Sequence, residues 1–155
     1  MSSVNVKIAI AGIGTVGGGL LELIRKYNSS DIKINVTAVA SRRKHKFHGQ
    51  FLKNTLFFKD AKELLSFDDY DILVELIGGE GGVAQTIVFD ALKKKKNVVT
   101  ANKALVAKFW KELKSLEYKN KCVLKYEAAV AGGIPIIKVI EEFLLSNKIK
   151  RIYGI

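Results

Sequence analysis

Gly12-Ile13-Gly14-Thr15-Val16-Gly17 follows directly on the apolar run Val4, Val6, Ile8, Ala9, Ile10, Ala11, and the rest of the chain reads outward from that junction. The spacing is G-x-G-x-x-G. Between a strand and a helix, each glycine has its own task. Gly12 permits a tight turn out of the strand, Gly14 lets the backbone approach a pyrophosphate, and Gly17 lets the following helix pack closely on the sheet. That helix offers its free N–H groups and positive dipole end to the phosphates. The flanks meet this condition, since strand-forming residues precede the glycines and Leu20, Leu21, Leu23 and Ile24 give an apolar helix face after them. Gly18 and Gly19 lengthen the glycine run, so the alternative is a plain structural turn; the strand and helix patterns on either side favour a dinucleotide site.

A chain of 155 residues is about one domain long and buries a real core. Hydrophobic residues at 48% argue against disorder. Lys and Arg number 26 against 15 Asp and Glu, a formal charge of +11 that fits either an anionic partner or a solvated basic surface. Much of the excess has a local explanation: Lys93-Lys94-Lys95-Lys96 stands where a helix should end, and its charge complements the macrodipole there. No aromatic-basic signature of RNA binding is present, so no nucleic-acid partner is expected. The single cysteine, Cys122, cannot form an internal disulfide and fits a reducing, cytoplasmic setting. No N-terminal signal pattern appears, and no apolar run approaches the roughly 20 residues that span a bilayer, so no membrane partner is expected.

Val4 to Ala11 has the near-continuous apolar character of a central parallel strand, and Thr15 to Tyr27 the pattern of a helix, closed by Asn28-Ser29-Ser30-Asp31. Ile32, Ile34, Val36, Ala38 and Val39 make a second strand. An NAD site usually carries Asp or Glu about 20 residues past the glycines, to bind the ribose hydroxyls. Here Ser41-Arg42-Arg43-Lys44 follows instead. A carboxylate would repel a 2′-phosphate, whereas a guanidinium grips it with paired hydrogen bonds, so Arg42 and Arg43 favour NADP over NAD. A solvated basic loop is the simpler alternative. His45 and His48 have an H-x-x-H spacing, but with no cysteine or carboxylate nearby they read as surface residues rather than metal ligands.

Further on, Ala61 to Ser66 reads as a short helix and Asp71 to Ile77 as a buried strand ending in Gly78-Gly79 at the cofactor edge. Val83 to Lys95 is a helix with Ile87, Val88, Ala91 and Leu92 on one face, and Asn97 to Thr100 is the next strand. Lys103 then opens a helix that runs to Tyr118, with Phe109, Leu113 and Leu116 as core candidates. A cation at a helix N-terminus opposes the dipole, and an anionic cofactor or substrate group would supply the reason for it. Lys121 to Tyr126 is a strand, Pro135 suits the first turn of another helix, and Ile149 to Ile155 reads as one more strand. The alternation predicts an α/β, doubly wound, mainly parallel sheet with helices on both faces.

Gly-Ile-Gly-Thr-Val-Gly-Gly-Gly at 12–19, Glu75-Leu76-Ile77-Gly78-Gly79, Val99-Thr100-Ala101-Asn102-Lys103-Ala104-Leu105 and Tyr126 to Ile136 together resemble homoserine dehydrogenase, in the family's order and over nearly the whole chain. The resemblance implies NAD(P)-dependent interconversion of aspartate semialdehyde and homoserine, on the route to threonine, methionine and isoleucine. By motif, it implies that Ile13, Gly14, Thr15 and Val16 line the pyrophosphate, that Arg42 meets the 2′-phosphate, and that Lys103 lies near cofactor and substrate in a catalytic role. Glu127 with the carbonyls of Val130, Gly132 and Ile134 matches a sodium site. Arg43 stands where many members carry an acidic residue, which weakens NAD further. Residues 1–146 are thereby expected to be the NAD(P)-binding domain and 147–155 the start of a substrate domain that this chain lacks. The chain is expected to be the inactive cofactor half of an enzyme whose complete form is a homo-oligomer. A cofactor-sensing module without catalysis is the alternative; Lys103 and Glu127 favour an enzyme.

Overall fold

The computed structural model describes residues 3–42 and 52–154; Arg43, Lys44, His45 and His48 fall outside them. Strand β1 (Val4–Ala11) leads into helix α1 (Thr15–Lys26), then β2 (Ile32–Ala40) and β3 (Leu56–Phe58). After a 3-10 helix (Ala61–Ser66) come β4 (Ile72–Glu75), α2 (Val83–Lys93), β5 (Asn97–Thr100), α3 (Lys103–Asn120) and β6 (Leu124–Lys125). Two 3-10 turns and α4 (Ile136–Lys138), which runs on into a π turn (Val139–Phe143), complete the elements. The six strands form one parallel sheet in the order β3-β2-β1-β4-β5-β6, the doubly wound α/β fold that the alternation predicts.

The sequence of β1 separates two cores. Ile8 and Ile10 point into a cluster with Ile13, Leu21, Val36, Val39 and Val74 on the α1 side. Ala9 and Ala11, with Ala38 and Ala40 of β2, belong to the larger cluster on the other side, where Leu64, Ile87, Val88, Leu92, Leu105 and Leu113 gather. Small residues on that face let the helices approach the sheet, while large ones on the other fill the space under a single helix. The alternation of β2 changes phase between Val36 and Ala38, because the register with β1 slips there and Thr37 becomes an extra residue. This bulge puts Val36 and Val39 on the same face, and Thr37 Oγ1 donates to the Ile8 carbonyl at 3.2 Å.

Helix α2 buries Ala84, Ile87, Val88, Ala91 and Leu92, the stripe expected of it. In α3 Leu113 is fully buried with Leu105, while Phe109 and Leu116 pack partly buried against the same core. Leu23 departs from expectation: it is 69% exposed, since Leu21 alone is fully buried among the leucines of α1. The lysine run after α2 does more than complement a dipole. Lys94 Nζ donates to the Leu65 carbonyl at 2.6 Å and pairs with Asp68 and Asp90, and Lys96 Nζ donates to the Tyr70 carbonyl at 2.7 Å. Burial alone would pull the Lys94 ammonium down; its bonds to Asp68 and Asp90 outweigh that and leave its pKa raised.

Of the strand expected at Ile149 to Ile155, the described residues 149–154 have no regular structure, and Ile152 and Tyr153 are exposed. A segment rich in strand-forming residues becomes a strand only where a neighbour takes its N–H and C=O groups, and no neighbour is present for this one among the described residues. β3 is the converse, a strand of three residues too short to show a period.

The first turn of α1 lies hard against the end of β1. A Cβ on Gly17 would fall 2.1 Å from the Gly12 carbonyl oxygen, a backbone atom that cannot swing away. Gly17→Ala should therefore destabilise the fold by roughly 2–3 kcal/mol, as overpacking does, and lower the melting temperature by about 5–10 °C; thermal unfolding followed by circular dichroism checks it.

Candidate functional site

The chain steps outward from β1 to β2 and β3, then returns and steps the other way through β4, β5 and β6. Between β1 and β4 the direction reverses, and in open α/β sheets ligands bind in the crevice beyond the carboxyl ends of the strands at that point. Residues 12–17 after β1, Ser41 and Arg42 after β2, Gly78 and Gly79 after β4, and Lys103 after β5 all leave the sheet at this edge. The fold thus brings together the cofactor residues expected from sequence, apart from Arg43, which lies outside the described residues.

Each glycine of the turn has a different environment. Gly12 has φ +98°, a Cβ there would lie 2.8 Å from the Leu76 carbonyl oxygen, and its N–H donates to the Ala40 carbonyl at 2.9 Å. The turn is thereby seated on β4 and tied to β2. Gly14 is exposed, and a Cβ on it would meet nothing within 4 Å. No neighbour in the protein requires a glycine at 14, so its smallness serves whatever approaches from outside. Gly78 and Gly79, at φ +82° and +89°, also face open space. Thr15 and Val16 are exposed at the helix start, whereas the Ile13 side chain is only 2% exposed and packs in the α1-side core. Of Ile13, only the backbone is left for a ligand. These open glycines at a helix N-terminus fit a dinucleotide pyrophosphate. Arg42 is exposed immediately beyond β2, in a turn held by the Ser41 N–H, which donates to the Phe58 carbonyl at 2.9 Å.

Beneath the crevice lies a set of residues to which sequence reasoning gave no role. Glu75, the last residue of β4, is fully buried. Its Oε1 accepts from the Ile77 and Gly78 N–H groups at 2.8 and 3.1 Å, and its Oε2 from the Thr100 hydroxyl at 2.5 Å. Thr100 Oγ1 accepts in turn from the Asn102 N–H at 3.0 Å. Asn102 caps α3 by accepting from the Leu105 N–H at 3.1 Å, and its amide donates to the Gly79 carbonyl at 2.7 Å. A carboxylate closing an otherwise apolar strand, Ile-Leu-Val-Glu, was the visible signal, because a buried acid needs donors.

Lys103 is the first residue of α3 and exposed, and among the described residues no hydrogen bond or ion pair holds its ammonium. The Glu127 carboxylate caps α4: Oε1 accepts from the Ile137 N–H at 2.9 Å and Oε2 from the Lys138 N–H at 3.1 Å. One acceptor position remains on each oxygen. The Ile134 carbonyl accepts from the Ile136 N–H at 2.7 Å, and the backbone through 131–133 is left-handed. Next to them the Tyr126 hydroxyl donates to Glu141 at 3.1 Å; burial, then this bond, pushes its pKa up to about 12. The described residues contain no cluster of three or more His, Cys, Asp or Glu side chains that would hold a metal, and no helix among them is long and apolar enough to cross a membrane. A depression lined by Lys114, Glu117, Tyr118 and Cys122 lies at the far end of α3 and includes none of the candidate cofactor or metal residues.

Strand order, glycine turn and open crevice define a Rossmann-type dinucleotide-binding domain. A family model described as homoserine dehydrogenase, NAD binding domain, matches residues 12–127, and the chain belongs to this family. It is 40% identical to the homoserine dehydrogenase of Neisseria gonorrhoeae, over 97% of this chain and 35% of that protein, and 33% identical to the Bacillus subtilis enzyme, over 97% and 36%. The crystal structure of a homoserine dehydrogenase from Thiobacillus denitrificans superposes with a TM-score of 0.79 at 36% identity, covering 92% of this chain and 34% of that one. A hyperthermophilic archaeal homoserine dehydrogenase in complex with NADPH gives 0.77 at 27% identity, covering 92% and 50%. The chain spans about a third of the length of the curated relatives it matches.

Gly14→Ala separates site from fold. With nothing within 4 Å of the added methyl, the melting temperature should stay within about two degrees, while dinucleotide affinity falls at least about tenfold because the methyl occupies the approach path. Thermal unfolding and calorimetric titration of the same variant check both halves.

Proposed function

We propose that this chain is the cofactor-binding portion of an NADP-dependent homoserine dehydrogenase, which interconverts L-aspartate 4-semialdehyde and L-homoserine in threonine, methionine and isoleucine biosynthesis. The observation that carries this is the open glycine turn at the β1–β4 switch point, in a chain of this family. The backbone of 12–16 and the first turn of α1 hold the pyrophosphate, Gly78 and Gly79 give it room on the β4 side, and Arg42 and Arg43 bind the 2′-phosphate. The bound cofactor supplies hydride transfer. Lys103 places its ammonium at the crevice, where it offsets negative charge on cofactor or substrate. Glu127, through the acceptor positions its cap leaves free, holds a sodium ion with the carbonyls of Val130, Gly132 and Ile134; hard oxygen donors suit such a cation. Residues 1–146 form the cofactor domain and 147–155 lead toward the portion that holds substrate. The complete enzyme works in the cytoplasm as a homo-oligomer, with neither nucleic acid nor membrane as partner.

Cofactor preference follows from the guanidinium. A hydrogen bond to a charged group contributes about 1.5–3 kcal/mol, so even with screening at exposed Arg42 NADPH should bind at least about tenfold more tightly than NADH. Calorimetric titration with each dinucleotide measures it; equal affinities, or an unchanged ratio in Arg42→Ala, would overturn the NADP assignment.

The chain by itself should bind dinucleotide without oxidising homoserine. Positioning of the reacting carbon against the nicotinamide contributes up to about 7–11 kcal/mol of barrier lowering, and the groups that position it are expected outside these 155 residues. Incubation with homoserine and NADP, followed at the NADPH absorbance, should show no turnover above background. A dehydrogenase-like rate from pure protein would mean that this chain holds a complete site.

A further inference from the structure

Glu75 is the one carboxylate fully buried among the described residues, and it has no cationic partner there. Withdrawing a carboxylate from water is costly, and a strand end that only needed filling would take a valine or leucine at less cost. What the carboxylate gains is its three donors, and these belong to two different segments: Ile77 and Gly78 follow β4, while Thr100 ends β5. The bond from Thr100 passes the connection to the Asn102 N–H, and Asn102 ties both ways, capping α3 through Leu105 and holding the Gly79 carbonyl. The result is a closed ring of hydrogen bonds from Glu75 through Thr100 and Asn102 to Gly79 and back along the chain to Gly78. Glu75 is also paired in register with Ala11, directly before the glycine turn, and its own carbonyl accepts from the Ala101 N–H at 3.2 Å.

We propose that Glu75 is a positioning residue, whose buried carboxylate locks the Gly78–Gly79 loop and the first turn of α3 into one unit and so fixes the backbone of Lys103 relative to the crevice. The proposal deepens the dinucleotide reading and rests on it for its functional consequence. The lock itself belongs to the unliganded chain. Cutting it anywhere in the ring should loosen both loops together, and cutting it should leave the glycine turn, which is seated on Leu76 and Ala40 by other contacts, as it was.

Amide hydrogen exchange on the unliganded 155-residue chain tests this. In Glu75→Gln, which keeps size and one acceptor oxygen but cannot accept the Thr100 hydroxyl at its amide nitrogen, exchange should quicken about tenfold or more at Ile77 and Gly78 and equally at Asn102 and Leu105. The Gly18 N–H, bonded to the Gly14 carbonyl, should keep its wild-type rate. Thr100→Val removes only the bridging hydroxyl and serves if the Gln variant does not fold: protection should fall at Ile77 and Gly78 together with Asn102 and Leu105, and Thr100→Ser should restore it at all four. NADPH affinity should weaken about fivefold in Glu75→Gln and Thr100→Val and recover in Thr100→Ser. Faster exchange at Ile77 and Gly78 alone would reduce Glu75 to a local cap, and a uniform rise at every amide would reduce it to general stability; either overturns the lock. Coupled loss of protection in the variants, with a wild-type chain that binds no NADPH, would support the lock and overturn the dinucleotide reading instead.

Discussion

The contact on which the molecule depends is that between Gly17 and the carbonyl of Gly12. With no side chain at 17, the first turn of α1 closes down on the end of β1. A second tight approach, Gly12 against the Leu76 carbonyl, presses the same turn onto β4. The glycine loop is thus clamped from two sides by backbone, which leaves Gly14 between them with open space in front of it. The steric demand for glycine inside the protein and the vacancy for a ligand outside it are two aspects of one packing arrangement.

On the other side of the crevice the restraint is polar rather than steric. Gly78 and Gly79 have positive φ and no side chains, and by themselves would be the least constrained part of the edge. Glu75, Thr100 and Asn102, all three buried, supply the restraint from below; the bonds among them are buried and those to Ile77, Gly78 and Gly79 partly so. A crevice with one wall set by close packing and the other by a buried network is preorganised before any ligand arrives, so binding need not order it.

The strands and helices were largely legible from sequence because β1, β4 and β5 are apolar runs and α2 shows a clean stripe at Ala84, Ile87, Val88, Ala91 and Leu92. The glycine turn was legible for a different reason: its spacing carries a mechanism. Where the sequence misled, tertiary context decided. Ile149 to Ile155 is rich in strand-forming residues and finds no neighbour among the described residues; Leu23 looks like a core leucine and is exposed. The β2 bulge at Thr37 and the edge strand Leu56–Phe58 left no period to detect. In the site, Gly14, Arg42 and Lys103 could be named in advance by type and place. Glu75 and Asn102 could be quoted in motifs but not given a task, because a hydrogen-bond network between residues 75 and 102 exists only once β4 and β5 are side by side.

The central claim, that the β1–β4 switch point binds a nicotinamide dinucleotide, is tested most directly by mapping backbone amide shifts by NMR as NADPH is added to the chain. The largest changes should fall on residues 12–17, Arg42, Gly78, Gly79 and Lys103, with Lys114, Tyr118 and Cys122 at the far end of α3 unmoved. Shifts centred on that far depression, or saturating NADPH with no shift in the glycine turn, would contradict it.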